Sequence, residues 1–229
     1  MNTLDLPELD WSVAKTITPG ESDEPLVPTS RSTLLFTMPI YAQRGYACAL
    51  KDVLVRESVL MRLEQAAMRL PAGLKLAVLD GWRPMALQHE LYTEFRRRIR
   101  SRHPEASEAE VERMTLQFAA MPSCDPRCPS PHITGGAVDV CLADEEGSIF
   151  PMGSEFDEPS PASWTLAAVD ETYASRRHSL YQAMTSAGFT NIPSEWWHYD
   201  FGNWVWAWYM GKQHSKYGPI AAIPNSSRS

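Results

Sequence analysis

Residues 130–142 constrain the fold more than any other segment of the chain. Gly135 and Gly136 stand between a histidine, His132, and an apolar run that Asp139 interrupts. Glycine reaches backbone conformations closed to other residues, so the pair predicts a sharp turn from a loop into a strand. A carboxylate on a buried strand is costly unless it is paired or binds a cation. The segment therefore predicts a strand over 137–142 whose aspartate meets His132 at one point.

A second segment, Glu-Trp-Trp-His at residues 195–198, completes a set of metal ligands. His132, Asp139 and His198 together are a full complement of protein ligands for a catalytic zinc. Three protein ligands leave the fourth tetrahedral position open for water, which separates catalytic sites from closed structural ones. Glu195 precedes one ligand by three residues and is the candidate base. These residues predict a hydrolytic reaction as well as a metal.

Glu195 and His198 can serve one metal only if the chain bends between them. In an ideal strand, side chains three residues apart point to opposite faces. Pro193 precedes the segment and favours such a bend. Taken alone, each residue has a simpler explanation, because a histidine among aromatic residues is usually a packed, hydrogen-bonded one and a buried aspartate often pairs with arginine. The surrounding aromatic residues predict core or pocket wall: Trp196, Trp197, Tyr199, Phe201, Trp204, Trp206 and Trp208.

Composition excludes several classes of protein. The 229 residues are 44% hydrophobic and 21% charged, which is ordinary for a soluble globular chain. A net charge of −7 argues against a nucleic-acid partner. No apolar run approaches the ~20 residues that span a bilayer, and the first residues lack the features of a signal peptide. We therefore expect a cytoplasmic protein with a small-molecule partner. The sequence does not decide whether the chain forms a homo-oligomer.

The periodicity of the chain predicts a single α+β domain over residues 1–229. An arm over 1–40 contains a short strand at 34–38, and a tail over 219–229 is expected to be frayed. Proline-rich residues 121–131 are expected to form a loop. Residues 197–209 are expected to form a strand or hairpin. The remaining predicted elements are helices over 55–70, 85–100, 107–120 and 172–187 and strands over 74–80 and 137–142.

The four cysteines are too few for a disulfide scaffold in a chain of this length. Cys124 and Cys128 lie four residues apart, just before the predicted metal site. A second metal site or a redox pair is one interpretation of that spacing. Because no second cysteine pair with zinc-finger spacing exists, reduced or incidental thiols are the better interpretation.

Four motifs, taken in their order along the chain, resemble a known enzyme family. Ser-x-His-x-x-Gly-x-Ala-x-Asp at 130–139, followed by Glu-Trp-Trp-His at 195–198, is similar to the zinc D-Ala-D-Ala peptidase superfamily. Asp-Gly-Trp-Arg-Pro at 80–84 and Met-Gly-Ser-Glu-Phe-Asp at 152–157 resemble elements of one branch, the D-alanyl-D-alanine dipeptidases of the VanX type. The resemblance spans about residues 74–201, over half the chain.

The resemblance implies a role for each of these residues. It makes His132, Asp139 and His198 the ligands of one Zn²⁺ and Glu195 the catalytic base. Arg83 matches the arginine that polarises the substrate carbonyl. Ser130 and Asp157 fall where the family holds the substrate's amino terminus. The implied fold is a small, mostly antiparallel sheet flanked by helices, as in zinc DD-peptidases and hedgehog-like domains.

The resemblance also has departures. Trp82 stands where tyrosine is commoner, and Tyr41-Ala42 is followed by Gln-Arg-Gly-Tyr at 43–46 in place of the family's Asn-Phe and Gly. These changes leave the chemistry intact and put the choice of substrate in question. Taken alone, Arg83 is more simply explained by a salt bridge with Asp80 or Glu90.

Three functions remain in competition. The first is a zinc dipeptidase that hydrolyses D-Ala-D-Ala or a close relative. The second is a D,D- or L,D-carboxypeptidase that trims longer peptidoglycan peptides. The third is a non-catalytic, zinc-stabilised binding module on the same fold. A His/Asp/His set with water also holds several divalent ions, so zinc itself is an expectation at this point.

Overall fold

A five-stranded sheet organises the chain in the computed structural model, which describes residues 7–116 and 119–221. The strands are β1 (Leu26–Pro28), β2 (Leu35–Thr37), β3 (Leu54–Arg56), β4 (Lys75–Asp80), β5 (Ala137–Ala143), β6 (Thr190–Asn191) and β7 (His198–Asp200). The α-helices are α1 (Ile40–Gln43), α2 (Glu57–Ala67), α3 (Met85–Arg102), α4 (Glu108–Leu116), α5 (Glu171–Ser186) and α6 (Trp204–Tyr209).

The sheet has the strand order β2-β4-β5-β7-β6, and β1 pairs with β3 in a separate two-stranded sheet. Only β2 and β4 are parallel neighbours; the other pairs in the described chain are antiparallel. The predicted α+β fold with a small, mostly antiparallel sheet is therefore confirmed. The antiparallel pairing of β4 with β5 brings the end of one strand beside the start of the next, which is where the predicted site residues lie.

The central strands carry the core because their side chains are apolar on both faces. β5 is buried along its whole length, and β4 is buried from its second residue. Helices α2 and α5 pack against each other and against this sheet. The predicted apolar stripe of α2 is buried at Val59, Leu60, Leu63 and Ala66, at the three- and four-residue steps of one helix face.

Helices α3 and α4 pack together and lie beside the site. The capping box predicted for α4 is present: Ser107 Oγ accepts from the N–H of Glu110, whose carboxylate accepts from the N–H of Ser107 at 2.8 Å. The helix is described as far as Leu116. Ala120 lies outside it, so the predicted end at 120 is wrong.

Residues 197–209 form the predicted strand only over His198–Asp200, and the segment is not a hairpin. The strand ends at Asp200, Gly202 adopts a left-handed φ of 74°, and Asn203 caps α6 by accepting from the N–H of Trp206 at 3.0 Å. Aromatic side chains favour strands only weakly and in context, so the local glycine and cap decide the helix.

The predicted arm and the described part of the predicted tail are both tied to the domain. β2, within the predicted arm, is an edge strand of the main sheet. Ile220 donates its N–H to the carbonyl of Ile133, and its own carbonyl accepts from Trp82 Nε1. Residues 219–221 are therefore held in place, whereas the rest of the predicted frayed tail lies outside the described residues. Within 7–116 and 119–221, no helix has the length and apolar character needed to cross a bilayer.

Candidate active site

The three predicted metal ligands come from three elements that meet beside the sheet. Asp139 in β5 and His198 in β7 are register partners on adjacent antiparallel strands. Directly opposed residues of such a pair project to the same face. His132 lies in a 3-10 turn, Pro131–Thr134, that ends at Gly135 in the left-handed conformation. The predicted glycine turn is confirmed, and it brings His132 back over the start of β5.

The donor atoms of these residues form a compact triangle. His132 Nε2 is 3.2 Å from His198 Nδ1, which is 3.1 Å from Asp139 Oδ1. The third side, from His132 Nε2 to Asp139 Oδ1, is 3.5 Å. Zinc ligands at about 2.0–2.1 Å in a tetrahedron stand roughly 3.3 Å apart, so the triangle fits such an ion. All three residues are buried, and they form a group able to hold a metal ion.

Hydrogen bonds outside the triangle leave the right nitrogens free. The Nδ1 of His132 donates to the carbonyl of Gly81 at 2.8 Å, so its Nε2 carries a lone pair. The Nε2 of His198 bonds Asp200 Oδ2 at 3.0 Å, and Asp200 is fully buried and also accepts from Asn203. Such partners fix the tautomer and orientation of metal-binding histidines. Two imidazole nitrogens and a carboxylate oxygen that face one another are a donor set that a metal cation would bind.

Neighbouring charges shift the pKa values of His198 and Asp139 in opposite directions. Burial would lower the pKa of His198, but Asp200 and Asp139 raise it well above its ordinary value. Burial would likewise raise the pKa of Asp139, but His132 and His198 hold it far below its usual range. The carboxylate is therefore ionised and available as a ligand.

The predicted bend between Glu195 and His198 is confirmed. The N–H of Glu195 donates to the carbonyl of Ile192 at 3.1 Å, and the N–H of His198 donates to the carbonyl of Glu195 at 3.3 Å. These two turns bring Glu195 Oε2 within 3.9 Å of His198 Nδ1. The buried amide of Asn191 donates to the carbonyls of Glu195 and His198 at 2.9 and 2.8 Å and so holds both ends of the second turn.

Glu195 has the properties of a group that exchanges protons near neutrality. Burial raises its pKa, His198 and Arg83 oppose that shift, and Asp139 and Asp157 reinforce it, giving about 8. A proton-transfer group is most effective when its pKa lies near the working pH.

Arg83 makes the predicted salt bridge and also faces the site. Its Nε donates to Asp80 at 2.8 Å and its Nη1 donates to Gln88 at 2.8 Å. Its Nη2 lies 3.4 Å from both Tyr41 Oη and Asp139 Oδ2. Burial would lower its pKa, but Tyr41 and the nearby carboxylates raise it, so the guanidinium stays charged. Asp80 and Gln88 fix its direction.

Asp157 lies on a loop and adopts an unusual backbone conformation. Its φ of 64° is in the left-handed region, which favours glycine. Its carboxylate accepts from Tyr41 Oη at 2.9 Å and from Arg44 Nη1 at 3.1 Å. Burial and Asp139 raise its pKa to about 7 against the opposing effects of Arg83, Arg44 and Tyr41. Asp157 therefore presents a carboxylate that titrates near neutrality.

A cavity of about 410 Å³ joins these groups. Its lining includes the three ligands together with Tyr41, Arg83, Asp157, Glu195 and Trp197. An apolar side is formed by Leu91 and Phe95 of α3 and by Leu9 and Trp11 near the start of the described chain. Trp197 is thus a pocket wall, as predicted, whereas Trp196 is buried outside the lining and donates to Ser154 at 2.9 Å.

Ser130 is the one predicted site residue that does not line this cavity. Its hydroxyl donates to the carbonyl of Met121 at 2.7 Å and accepts from the N–H of Ser123 at 2.9 Å. These bonds close the proline-rich loop at its two ends. Cys124 and Cys128, in the same loop, are free thiols, and no group of three metal-ligating side chains includes them in the described chain.

The residues that hold the proposed ligands and Arg83 in place were not among the predicted site residues. Asp200 follows His198 by two positions, a spacing that places side chains on one face of a strand, so its partnership was readable in principle. Gln88 lies in the buried stripe of α3 beside Leu87 and Leu91, where a polar residue needs a partner. Tyr41 and Asn191 carry no local signal, because their partners come from distant parts of the chain.

Comparisons with known proteins identify the family. The sequence model of the Peptidase_M15 family, described as D-Ala-D-Ala dipeptidase, matches residues 43–217. A D-alanyl-D-alanine dipeptidase of Synechocystis is 33% identical over 223 residues, covering 86% of this chain and 90% of the relative. The dipeptidase of the same name from Escherichia coli is 42% identical over 72 residues, 31% of this chain and 37% of the relative.

Two solved structures are also similar, at low identity. The vancomycin resistance D,D-pentapeptidase VanY in complex with Zn(II) has a TM-score of 0.44 at 15% identity, covering 84% of this chain and 88% of that one. The D,D-dipeptidase VanXYg with a D-Ala-D-Ala phosphinate analogue has a TM-score of 0.41 at 17% identity, covering 85% and 66%. The match over residues 43–217 and the full-length relative establish that this chain is a peptidase of the D-Ala-D-Ala dipeptidase family.

Proposed function

We propose that this chain is a zinc-dependent dipeptidase that hydrolyses D-Ala-D-Ala or a closely related dipeptide. The observation that carries the proposal is the triangle of His132, Asp139 and His198 with Glu195 Oε2 only 3.9 Å from one of its corners. Zinc held by the three ligands would supply a water whose pKa is lowered to ~7 and would polarise the substrate carbonyl. The remaining tasks fall to side chains of this chain.

Glu195 handles the proton. Hydrolysis of a peptide bond removes a proton from water and delivers one to the leaving amine, and a single carboxylate beside the reacting atoms can do both. Burial raises the pKa of Glu195, which favours its holding the proton between the two transfers. The Ile192–Glu195 and Glu195–His198 turns keep its carboxylate beside the ligands.

Arg83 stabilises the negative charge that develops on the carbonyl oxygen. Its Nη2 reaches the cavity between Tyr41 and Asp139. A preorganised donor in a water-poor site is worth far more to the transition state than the same group in water. Because Asp80 Oδ2 lies 2.8 Å from both Nε and Nη2 and Gln88 holds Nη1, the group does not have to reorient during the reaction.

Asp157 receives the amino terminus of the substrate. It lines the cavity, its carboxylate is held by Tyr41, and an ammonium is the natural partner of a carboxylate in such a place. Ser130 is the second candidate for this task from the family resemblance, although its hydroxyl bonds the surrounding loop. A site that binds a free ammonium next to the reacting carbonyl favours dipeptides over longer peptides, which have no amino terminus there.

The test combines metal analysis with an activity assay. We expect the purified protein to carry about one zinc per chain and to release D-alanine from D-Ala-D-Ala, with activity lost on chelation and restored by zinc. Glu195→Ala should abolish turnover while zinc remains bound. Glu145→Ala, which removes an exposed acid outside the cavity, serves as the matched control.

Three outcomes separate the competing functions. Hydrolysis of D-Ala-D-Ala in preference to a pentapeptide supports the dipeptidase. Preference for the pentapeptide would identify a carboxypeptidase. Binding of zinc with a raised melting temperature, but without cleavage of any peptide, would identify the non-catalytic module; Glu195 and Arg83, both in the cavity, argue against that function.

A further inference from the structure

Asp157 stands between two cavities. The catalytic cavity of about 410 Å³ and a neighbouring cavity of about 610 Å³ share this residue alone among the described residues that line them. The second cavity runs along α3 and the 155–159 loop and is lined largely by charged side chains, such as Glu90, Glu94 and Arg98. A charged lining suits a hydrated peptide chain. The partition between the two cavities is therefore thin and lies beside the proposed amino-terminal subsite.

Arg44 builds the outer side of this partition. Its Nη1 lies 3.1 Å from Asp157 Oδ2, its Nη2 donates to the carbonyl of Phe156 at 3.4 Å, and its guanidinium stacks 5.3 Å from the Phe156 ring centre. Tyr41 holds the same carboxylate from the catalytic side, with its hydroxyl 3.2 and 2.9 Å from the two oxygens. Asp157 is thus clamped between a residue of each cavity.

The clamp has a consequence for the length of the substrate. A dipeptide ends at the nitrogen that Asp157 receives. A longer peptide would continue from that nitrogen, and a next residue directed past Asp157 toward the second cavity would meet the guanidinium of Arg44. Passage would require the ion pair, the carbonyl hydrogen bond and the ring contact to be broken together. Arg44 also belongs to the Gln-Arg-Gly-Tyr segment at 43–46.

We infer that Arg44 closes the amino-terminal side of the substrate cavity and limits this enzyme to dipeptides with a free amino terminus. The inference rests on the proposed function, because it needs a dipeptide whose ammonium meets Asp157. It assigns chain-length selection to a half-exposed arginine that contacts neither the metal ligands nor Glu195. Arg44 acts through Asp157 and is a specificity-determining residue rather than a catalytic one.

The test compares D-Ala-D-Ala with N-acetyl-D-Ala-D-Ala and Gly-D-Ala-D-Ala on the zinc-loaded full chain. In wild type, kcat/KM should strongly favour the free dipeptide. In Arg44→Ala, we expect the ratio of dipeptide to extended-peptide kcat/KM to fall by about tenfold or more, in the range that one missing contact produces. Arg44→Lys, which keeps a cation near Asp157, should retain part of the discrimination.

The matched control is Arg127→Ala. Arg127 forms an exposed ion pair with Asp125 at 2.8 Å and lines neither cavity, so its removal should leave the ratio unchanged. Thermal melting establishes that each variant is folded. If the alanine variant unfolds, Arg44→Gln repeats the comparison, because glutamine keeps more of the side chain and still removes the charge.

Two failures are distinguishable. A wild-type enzyme that cleaves the dipeptide, together with an Arg44→Ala ratio within about twofold of wild type, overturns the inference and leaves the proposed function standing. A zinc-loaded wild type that cleaves no dipeptide overturns the proposed function and the inference with it.

Discussion

The metal side and the amino-terminal side of this cavity are built differently. His198 and Asp139 project from adjacent strands in register, and each is held by further buried groups. Asp157 projects from a loop in a left-handed conformation, and its outer partner, Arg44, is 38% exposed. Sites on strands are positioned more rigidly than sites on loops. Under the proposed function, the sheet would carry the chemistry and the loops would choose the peptide.

The largest effect is expected from removal of a proposed metal ligand on the sheet side. His198→Ala should reduce bound zinc to near zero and abolish dipeptide hydrolysis, because two protein ligands cannot hold the ion in this geometry. Metal analysis after dialysis measures the effect. His178→Ala, an exposed histidine on α5, is the control. Retention of stoichiometric zinc by His198→Ala would show that the triangle is not the metal site.

The second prediction separates the base from the ligands. Glu195→Gln should lower kcat by about 10²–10⁴-fold, the usual contribution of a positioned proton-transfer group, with zinc content unchanged. Steady-state kinetics on zinc-loaded protein measures the loss. A variant with near wild-type kcat would remove Glu195 from the mechanism while leaving the metal assignment intact.

The third prediction concerns the buried support of His198. Asp200→Asn keeps a hydrogen-bond acceptor for Nε2 but removes the charge, so zinc affinity should weaken by about 10–100-fold. Competition with a chromophoric chelator measures this separately from activity. Asp23→Asn, at an exposed position outside the site, should leave the affinity unchanged. Equal affinities in the two variants would mean that Asp200 has a packing role alone.

The fourth and smallest effect is expected on the loop side. Asp157, with a pKa near 7, is ionised above that pH and neutral below it. An ammonium binds the ionised form, so KM for D-Ala-D-Ala should rise as pH falls below about 7, by at most about tenfold per pH unit for one proton. The pH profile of Asp157→Asn should lack this rise. A profile shared by both enzymes would place the titration elsewhere.

Much of the local structure follows from short-range pattern. The stripe in α2, the capping box at Ser107 and Glu110, and the glycine turn before β5 were each readable from a few neighbouring residues, and each is present. The prediction for residues 197–209 is wrong beyond Asp200, because Gly202 and Asn203 end the strand and start α6 whatever the aromatic content of the stretch. The two-residue strand β6 is too short to leave a pattern.

In the candidate site, too, some features were predictable from the sequence and others were not. The triangle of His132, Asp139 and His198 was predicted from residue types and spacing, and the family of the chain was predicted from motifs in order. The contacts around the triangle could not be predicted from the sequence. Tyr41 meets Asp157 across 116 positions, and Arg44 meets it across 113. Ser130 fits the motif, yet its hydroxyl turns to the loop that contains it.

The family, most helices and strands, and the grouping of His132, Asp139 and His198 were predictable from the sequence, because they depend on residue chemistry and on periodicity over a few residues. The folded structure was needed to show which carboxylate supports His198, how Asp80 and Gln88 hold Arg83, and that Arg44 stands against Asp157 between two cavities. Those contacts join residues far apart in the chain, and their geometry depends on the register of the sheet and the packing of whole elements.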